Sequence, residues 1–277
     1  MSRTGTIASL LIKLDGTPGD RVAVELGVQW GQRFDARVHA LAVVDEASYL
    51  IPFAEEPPSA FEQRLRRWEE AREAARRSLQ ECAAACAAAG LRCATFEESG
   101  NVEEVLQKFL QRHDLLVGGR EAYHHAMEHA NSSWASMLRD ASRPFVLVPP
   151  SLPRGTTVIV AYNASRPAAR MLSGLTASGL LADRRVLIVS VHQSVEQAAE
   201  ECELAVDFLD VHGIQAEALA VQPVGALHEQ LLEFVAAHDA GLIAAGAFGR
   251  SRPTEWVLGS HTRRLIRSSP VPIFLFH

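Results

Sequence analysis

Short apolar runs alternate along the chain with longer stretches in which apolar residues return every three or four positions, and the chain goes through this alternation twice. The first pass opens on IASLLIKLDGTPGD, around Asp15, and the second on TTVIVAYNASRPAA, around Asn163. Each opening predicts a strand ending in a polar turn, then a helix, then a second strand, ARVHALAVVD or RRVLIVSVHQ. A third strand follows in each pass, LRCATFEE or IQAEALAVQ, and a turn at Gly100 or Gly225 opens an amphipathic helix. The phrases HDLLVGG and HDAGLIAAG predict a buried fourth strand, and ASRPFVLVPP and SSPVPIFLFH a fifth strand begun by proline.

Strands alternating with helices predict α/β architecture: two tandem doubly wound domains, each a mostly parallel five-stranded sheet with helices on both faces. The prolines and glycine of PPSLPRGT mark the linker and divide the chain into domains 1–150 and 151–277. The endings of the two passes align at an offset of 128, placing Gly118 on Gly246 and Pro144 on Pro272, whereas the openings align at 148. About twenty extra residues therefore belong to the first half. The stretch from Glu46 to Arg67, rich in Pro and Glu, is where they fit. It predicts a loop or lid beside the first-half crevice and a lengthened helix, whose apolar stripe is Phe61, Leu65, Trp68, Ala75, Leu79, Cys82 and Cys86. The last strands of the two halves are expected to pair, as an intramolecular pseudo-dimer that protects their edges.

Composition narrows the function classes. At 48% hydrophobic and 22% charged residues the chain can bury proper cores, and a net charge of −6 without sustained Lys/Arg runs argues against nucleic acid. No apolar run reaches the roughly 18 residues of a membrane span, and Lys13 and Asp15 interrupt the N-terminal one, so a cytoplasmic protein is expected. Cys82, Cys86, Cys93 and Cys202 read first as small buried hydrophobes, with a redox or metal role as the minor reading. His124, His125 and His129 lack an evident third ligand, so no metal site is expected there.

The most specific segment is GAFGRSRPTEWVLGSHTRRLIRSSP, directly after the apolar run GLIAA. Its Gly246, Gly249, Gly259 and Ser260 form the spacing Gly-x2-Gly-x9-Gly-Ser. Glycines let backbone N–H groups approach an anion, Ser260 opens a helix whose positive end faces it, and the hydroxyls of Ser260 and Thr262 add donors. Bare turn formation is the competing reading of the glycines. Arg250, Arg252, Arg263 and Arg264 flank the loop and can meet a triphosphate or simply decorate the surface.

This spacing, between a fourth strand and a Pro-initiated last strand, resembles the ATP-binding universal stress proteins, and the resemblance runs through both halves. It implies an adenine-nucleotide site, ATP with Mg²⁺ being the foremost ligand, in a stress-response regulatory protein. Gly246, Gly249, Gly259, Ser260 and Thr262, with Arg250 beside them, would hold phosphates and ribose. Ala161 and Val191 would border the adenine, and Asn163 stands where the family carries Asp. In the first half Asp15, Gly118 and Ser132 remain, while Glu121 and Asn131 replace the other glycines, so a vestigial site is expected there. Further homodimerisation and an unidentified protein partner are also implied. No nucleophile–base pair is evident, which leans away from catalysis and leaves slow ATP hydrolysis or adenylyl transfer as a lesser alternative to nucleotide-binding regulator and nucleotide-free scaffold.

Overall fold

The computed structural model describes residues 7–46, 57–120, 142–246 and 260–277. By internal contacts the chain forms two compact units, one of Ala8–Trp134 and the other of Met1–Ile7 with Ala135–His277.

The first unit contains β1 (Ser9–Leu14), α1 (Gly19–Phe34), β2 (Arg37–Val44), α2 (Pro58–Ala88), β3 (Cys93–Ser99), α3 (Val102–Leu110) and β4 (Leu115–Gly119). Its strands lie in the order β3-β2-β1-β4, all parallel. The central strands β1 and β4 are apolar almost without interruption because helices cover both their faces. The edge strand β3, by contrast, carries Glu97 and Glu98 and is mostly exposed. In α3, Asn101 caps the helix by accepting from the Glu104 N–H, Glu103 and Glu104 occupy the first turn and Lys108 the last, all suited to the helix dipole.

The second unit contains β5 (Phe145–Val148), β6 (Thr157–Ala161), α4 (Arg166–Ser178), β7 (Val186–Val191), α5 (Val195–Val211), β8 (Glu217–Val221), α6 (Leu227–Ala237), β9 (Ala240–Gly246), α7 (Ser260–Ser268) and β10 (Ile273–Phe276). Its order is β5-β10-β9-β6-β7-β8. All pairs are parallel except β5 with β10, which run antiparallel with Leu147 opposite Ile273 and Phe145 opposite Leu275. The last strands of the two repeats therefore pair, as edge protection requires. In consequence β5 groups with the second unit, and the contact boundary falls before it instead of at the Pro149–Thr156 linker.

The predicted lengthening of the helix after β2 is present, since α2 has 31 residues and its counterpart α5 has 17. Along its apolar stripe only the C-terminal portion is sealed: Ala75, Leu79, Cys82 and Cys86 are buried, whereas Phe61, Leu65 and Trp68 are half-buried. Arg72 and Arg76 of α2 both reach Glu97 of β3, each at 2.8 Å, and pin the helix to the edge strand. The loop portion of the expected insertion lies outside the described residues. Among the described residues no helix is long and apolar enough to cross a membrane.

Candidate functional site

In the second unit the chain leaves β6 towards β7 on one side of the sheet and returns from β8 to β9 on the other. Adjacent strands β6 and β9 thus flank a topological switch point, where the connecting loops part and leave a crevice at the carboxyl ends. Ala161, the last residue of β6, stands opposite Val189 of β7 and Ala245 of β9, and Gly246 ends β9 opposite Phe276. Val191 ends β7 at the same edge, opposite Val221. Because α7 crosses from the carboxyl end of β9 to the start of the parallel strand β10, its N-terminus also lies at this edge. Ser260 opens that helix, and Thr262, half-buried, sits in its first turn. Gly249, Arg250 and Gly259 lie outside the described residues.

The turn after β6 is built from short polar side chains. Asn163 Oδ1 accepts from the Ser165 hydroxyl at 2.6 Å and from the Ser165 N–H at 3.3 Å. Ser165 in turn caps α4, its Oγ accepting from Ala168 N–H, with a proline in the helix's first turn. Ala164 between them holds a left-handed backbone at φ 51° and is exposed. A non-glycine residue there carries strain, and such strain concentrates at functional turns. Gly246 lies against the same helix start: a Cβ on it would come within 3.0 Å of Ala168 N and 3.1 Å of Pro167 C. Glycine at this position lets β9 approach α4, so close packing explains the residue as well as anion binding does.

The corresponding place in the first unit is filled. Register puts Lys13 where the second repeat has Ala161, since each precedes its polar turn residue by two positions and pairs with the strand across the switch. Lys13 is 2% exposed, and its ammonium is paired with the Asp15 carboxylate. Burial pulls its pKa down to about 8, opposed by the attraction of Asp20. The Asp20 carboxylate folds back over the turn, accepting from Gly16 N–H at 2.8 Å, Asp15 N–H at 3.1 Å and the Thr17 hydroxyl at 3.4 Å. Burial raises the pKa of Asp20, against a hydrogen bond from Ser78 of α2, that from Gly16, and the charge of Lys13. Gly16 takes φ 72°, and a Cβ there would lie 2.7 Å from Ala74 Cβ. So α2 seats directly on the first turn, through residues beyond the insertion, while the matching Ala164 faces solvent.

These registers correct one expectation. Lys13 stands opposite Gly118 and Ala161 opposite Ala245, so the counterpart of Gly246 is Gly119 and not Gly118. Packing agrees: a Cβ on Gly119 would meet Gly19, at the start of α1, at 3.2 Å, whereas one on Gly118 would make only ordinary contacts at 3.9 Å. Asp15 is engaged with Lys13, and Ser132, with Glu121 and Asn131, lies outside the described residues, as do the His124–His129 cluster and Arg252. Lys13 and Asp20 were not singled out from the sequence. A lysine breaking an otherwise apolar strand was the available signal.

Residues 155–277 match the universal stress protein family profile. The second half is a universal stress protein domain. A universal stress protein of Synechocystis, Slr1230, is 26% identical over 183 residues, which are 65% of this chain and 63% of that protein; the match thus spans less than two thirds of the relative. Among solved structures, a universal stress protein from Archaeoglobus fulgidus covers 97% of this chain and 95% of its own length with a TM-score of 0.69 at 19% identity. A functionally unknown protein of Pseudomonas aeruginosa covers 99% and 93% with a TM-score of 0.59 at 13% identity. At such identities the two structures speak for a shared fold.

Proposed function

We propose that the universal stress protein domain in the second half binds one adenine nucleotide, ATP foremost, at the carboxyl edge of β6, β7 and β9, and that the chain acts as a regulator in the stress response. The observation that carries this reading is the contrast between the repeats. Where the first has a buried Lys13, a carboxylate folded over the turn and a covering helix, the second has Ala161, Asn163 and an exposed Ala164. Ala161 and Val191 would border the base. Asn163 offers an amide to ribose or base, and the N-terminus of α7 with Gly246, Gly249, Gly259, Ser260 and Thr262 would receive the phosphates. Arg250 would reach the outer phosphates, and Mg²⁺ would offset the triphosphate's charge when bound. By the same contrast the first half holds no nucleotide.

A nucleotide-free scaffold is the second reading, favoured by two observations: Asn163 already serves Ser165, and Gly246 is accounted for by packing against α4. Calorimetric titration of the full chain with ATP and Mg²⁺ separates the two. One site per chain is expected. Grafting the first repeat's filling, Ala161→Lys with Asn163→Asp, should weaken binding at least tenfold, about 1.4 kcal/mol, as should Gly259→Asp. Absence of binding favours the scaffold, and unchanged binding in both folded variants removes the site assignment.

A further inference from the structure

On the α2 side of the first unit three thiols converge, away from the crevice edge. Cys82 and Cys86 stand on successive turns of α2 and are fully buried, and their Sγ atoms lie within 4.8 Å of each other and of Cys93 Sγ. Cys93 opens β3 opposite Val38, whose side chain packs towards Gly31 of α1, so Cys93 faces the helical layer that holds the other two. The double clamp of Arg72 and Arg76 on Glu97 fixes α2 over β3 and holds the sulfurs together before any ligand arrives. None of the three is in a disulfide. Cys93 is half-buried on an exposed edge strand and gives an entry path.

We propose that Cys82, Cys86 and Cys93 form a three-sulfur site for a trivalent, three-coordinate thiophilic centre, with arsenic(III) as its ligand. Ligand softness and coordination number point this way. Thiolates select soft centres, and a closed zinc site needs four ligands, yet among the described residues no fourth His, Cys, Asp or Glu joins the group. Charge then discriminates among three-coordinate ions. Three thiolates around a monovalent ion such as copper(I) leave two negative charges in a buried place, which is costly without a paired cation. Around arsenic(III) the product is neutral. Arsenous acid, As(OH)₃, enters uncharged and exchanges each hydroxyl for a sulfur: three As–S bonds form, three As–O bonds break, and each departing hydroxyl leaves with one thiol proton as water. No electrons are transferred.

The test is anaerobic titration of the fully reduced full-length protein with arsenite, read by native mass spectrometry and by X-ray absorption at the arsenic edge. One arsenic per chain is expected, with a mass gain of one arsenic less three protons and a first shell of three sulfurs. Cys93→Ser, at a half-exposed edge position, should weaken binding by more than the ~10–100-fold that loss of an outer-shell partner costs a metal site. Cys202→Ser, in the other unit, should leave it unchanged. A first shell of two sulfurs and one oxygen, full affinity in folded Cys93→Ser, or no uptake of arsenite while copper(I) or zinc binds would each overturn the proposal. Should Cys93→Ser fail to fold, the sulfur count of the wild-type complex decides alone.

Discussion

The buried Lys13 ammonium makes the first unit's stability depend on alkaline pH in a way that one substitution removes. Below about pH 8 the lysine is charged in both the folded and the unfolded chain, and the folded state bears the cost of burying it. Its folded pKa, about 8, lies below the ordinary 10.5. Between those values the unfolded chain binds more protons than the folded one, so stability rises with pH, and it levels off above the unfolded value. A fall from 10.5 to about 8, at about 1.36 kcal/mol per pH unit, corresponds to about 3 kcal/mol across the window. Lys13→Met keeps a chain of similar length and has nothing to titrate. Urea unfolding of both proteins at intervals from about pH 7 to about pH 11 should show wild type gaining on the variant by about 3 kcal/mol over the range. Cysteines and tyrosines titrate in both and cancel in the difference. Parallel stability curves, or a wild type that loses ground as pH rises, would refute the reasoning and with it the idea that the first crevice is filled by a buried charge.

Two further outcomes follow from packing and protonation. Gly246→Ala places a Cβ about 3.0 Å from the Ala168 backbone and should cost about 1–3 kcal/mol in urea unfolding without any nucleotide present, the ordinary price of overpacking; a neutral effect would restore anion binding as the main reason for the glycine. In the first unit, His113 bonds Phe109 O at 2.6 Å and His39 at 2.8 Å, and burial lowers the pKa of both histidines. Stability is then complete above the unfolded value of 6.5 and falls as pH drops from there through the lowered folded values; His39→Leu should flatten this acid limb in thermal melts, and an unaltered limb would remove the pair as its cause.

Elements were easier to read than their alignment between the repeats. Strands such as LLIKL and TVIVA stand out because burial on both faces demands continuous apolar runs, and the turns at Gly100 and Gly225 mark where the helices after β3 and β8 open. The one-residue error between Gly118 and Gly119 arose because adjacent glycines give no side-chain signal, and only strand pairing tells which of them meets a helix start. Lys13 read as an interruption of an apolar strand because its role depends on Asp15, Asp20 and α2 meeting around it in space. The cysteines read as core, which Cys82 and Cys86 are; their meeting with Cys93 depends on the register of β3 beside β2 and on the seat of α2, neither of which sequence spacing carries. His39 and His113 are far apart in sequence and face each other only after β2, α3 and β4 are in place.

The antiparallel pairing of β5 with β10 sets an order of events during synthesis. The entire second repeat separates the two strands in the chain, so β5 leaves the ribosome long before its partner exists, and a contact of such high sequence separation closes late. Until then Phe145–Val148 is an apolar strand without its β10 partner, the kind of surface that recruits another chain. Ile273–Phe276 therefore do more than complete their own sheet. They withdraw a sticky nascent segment from its neighbours, and a chain lacking them would keep that segment on offer.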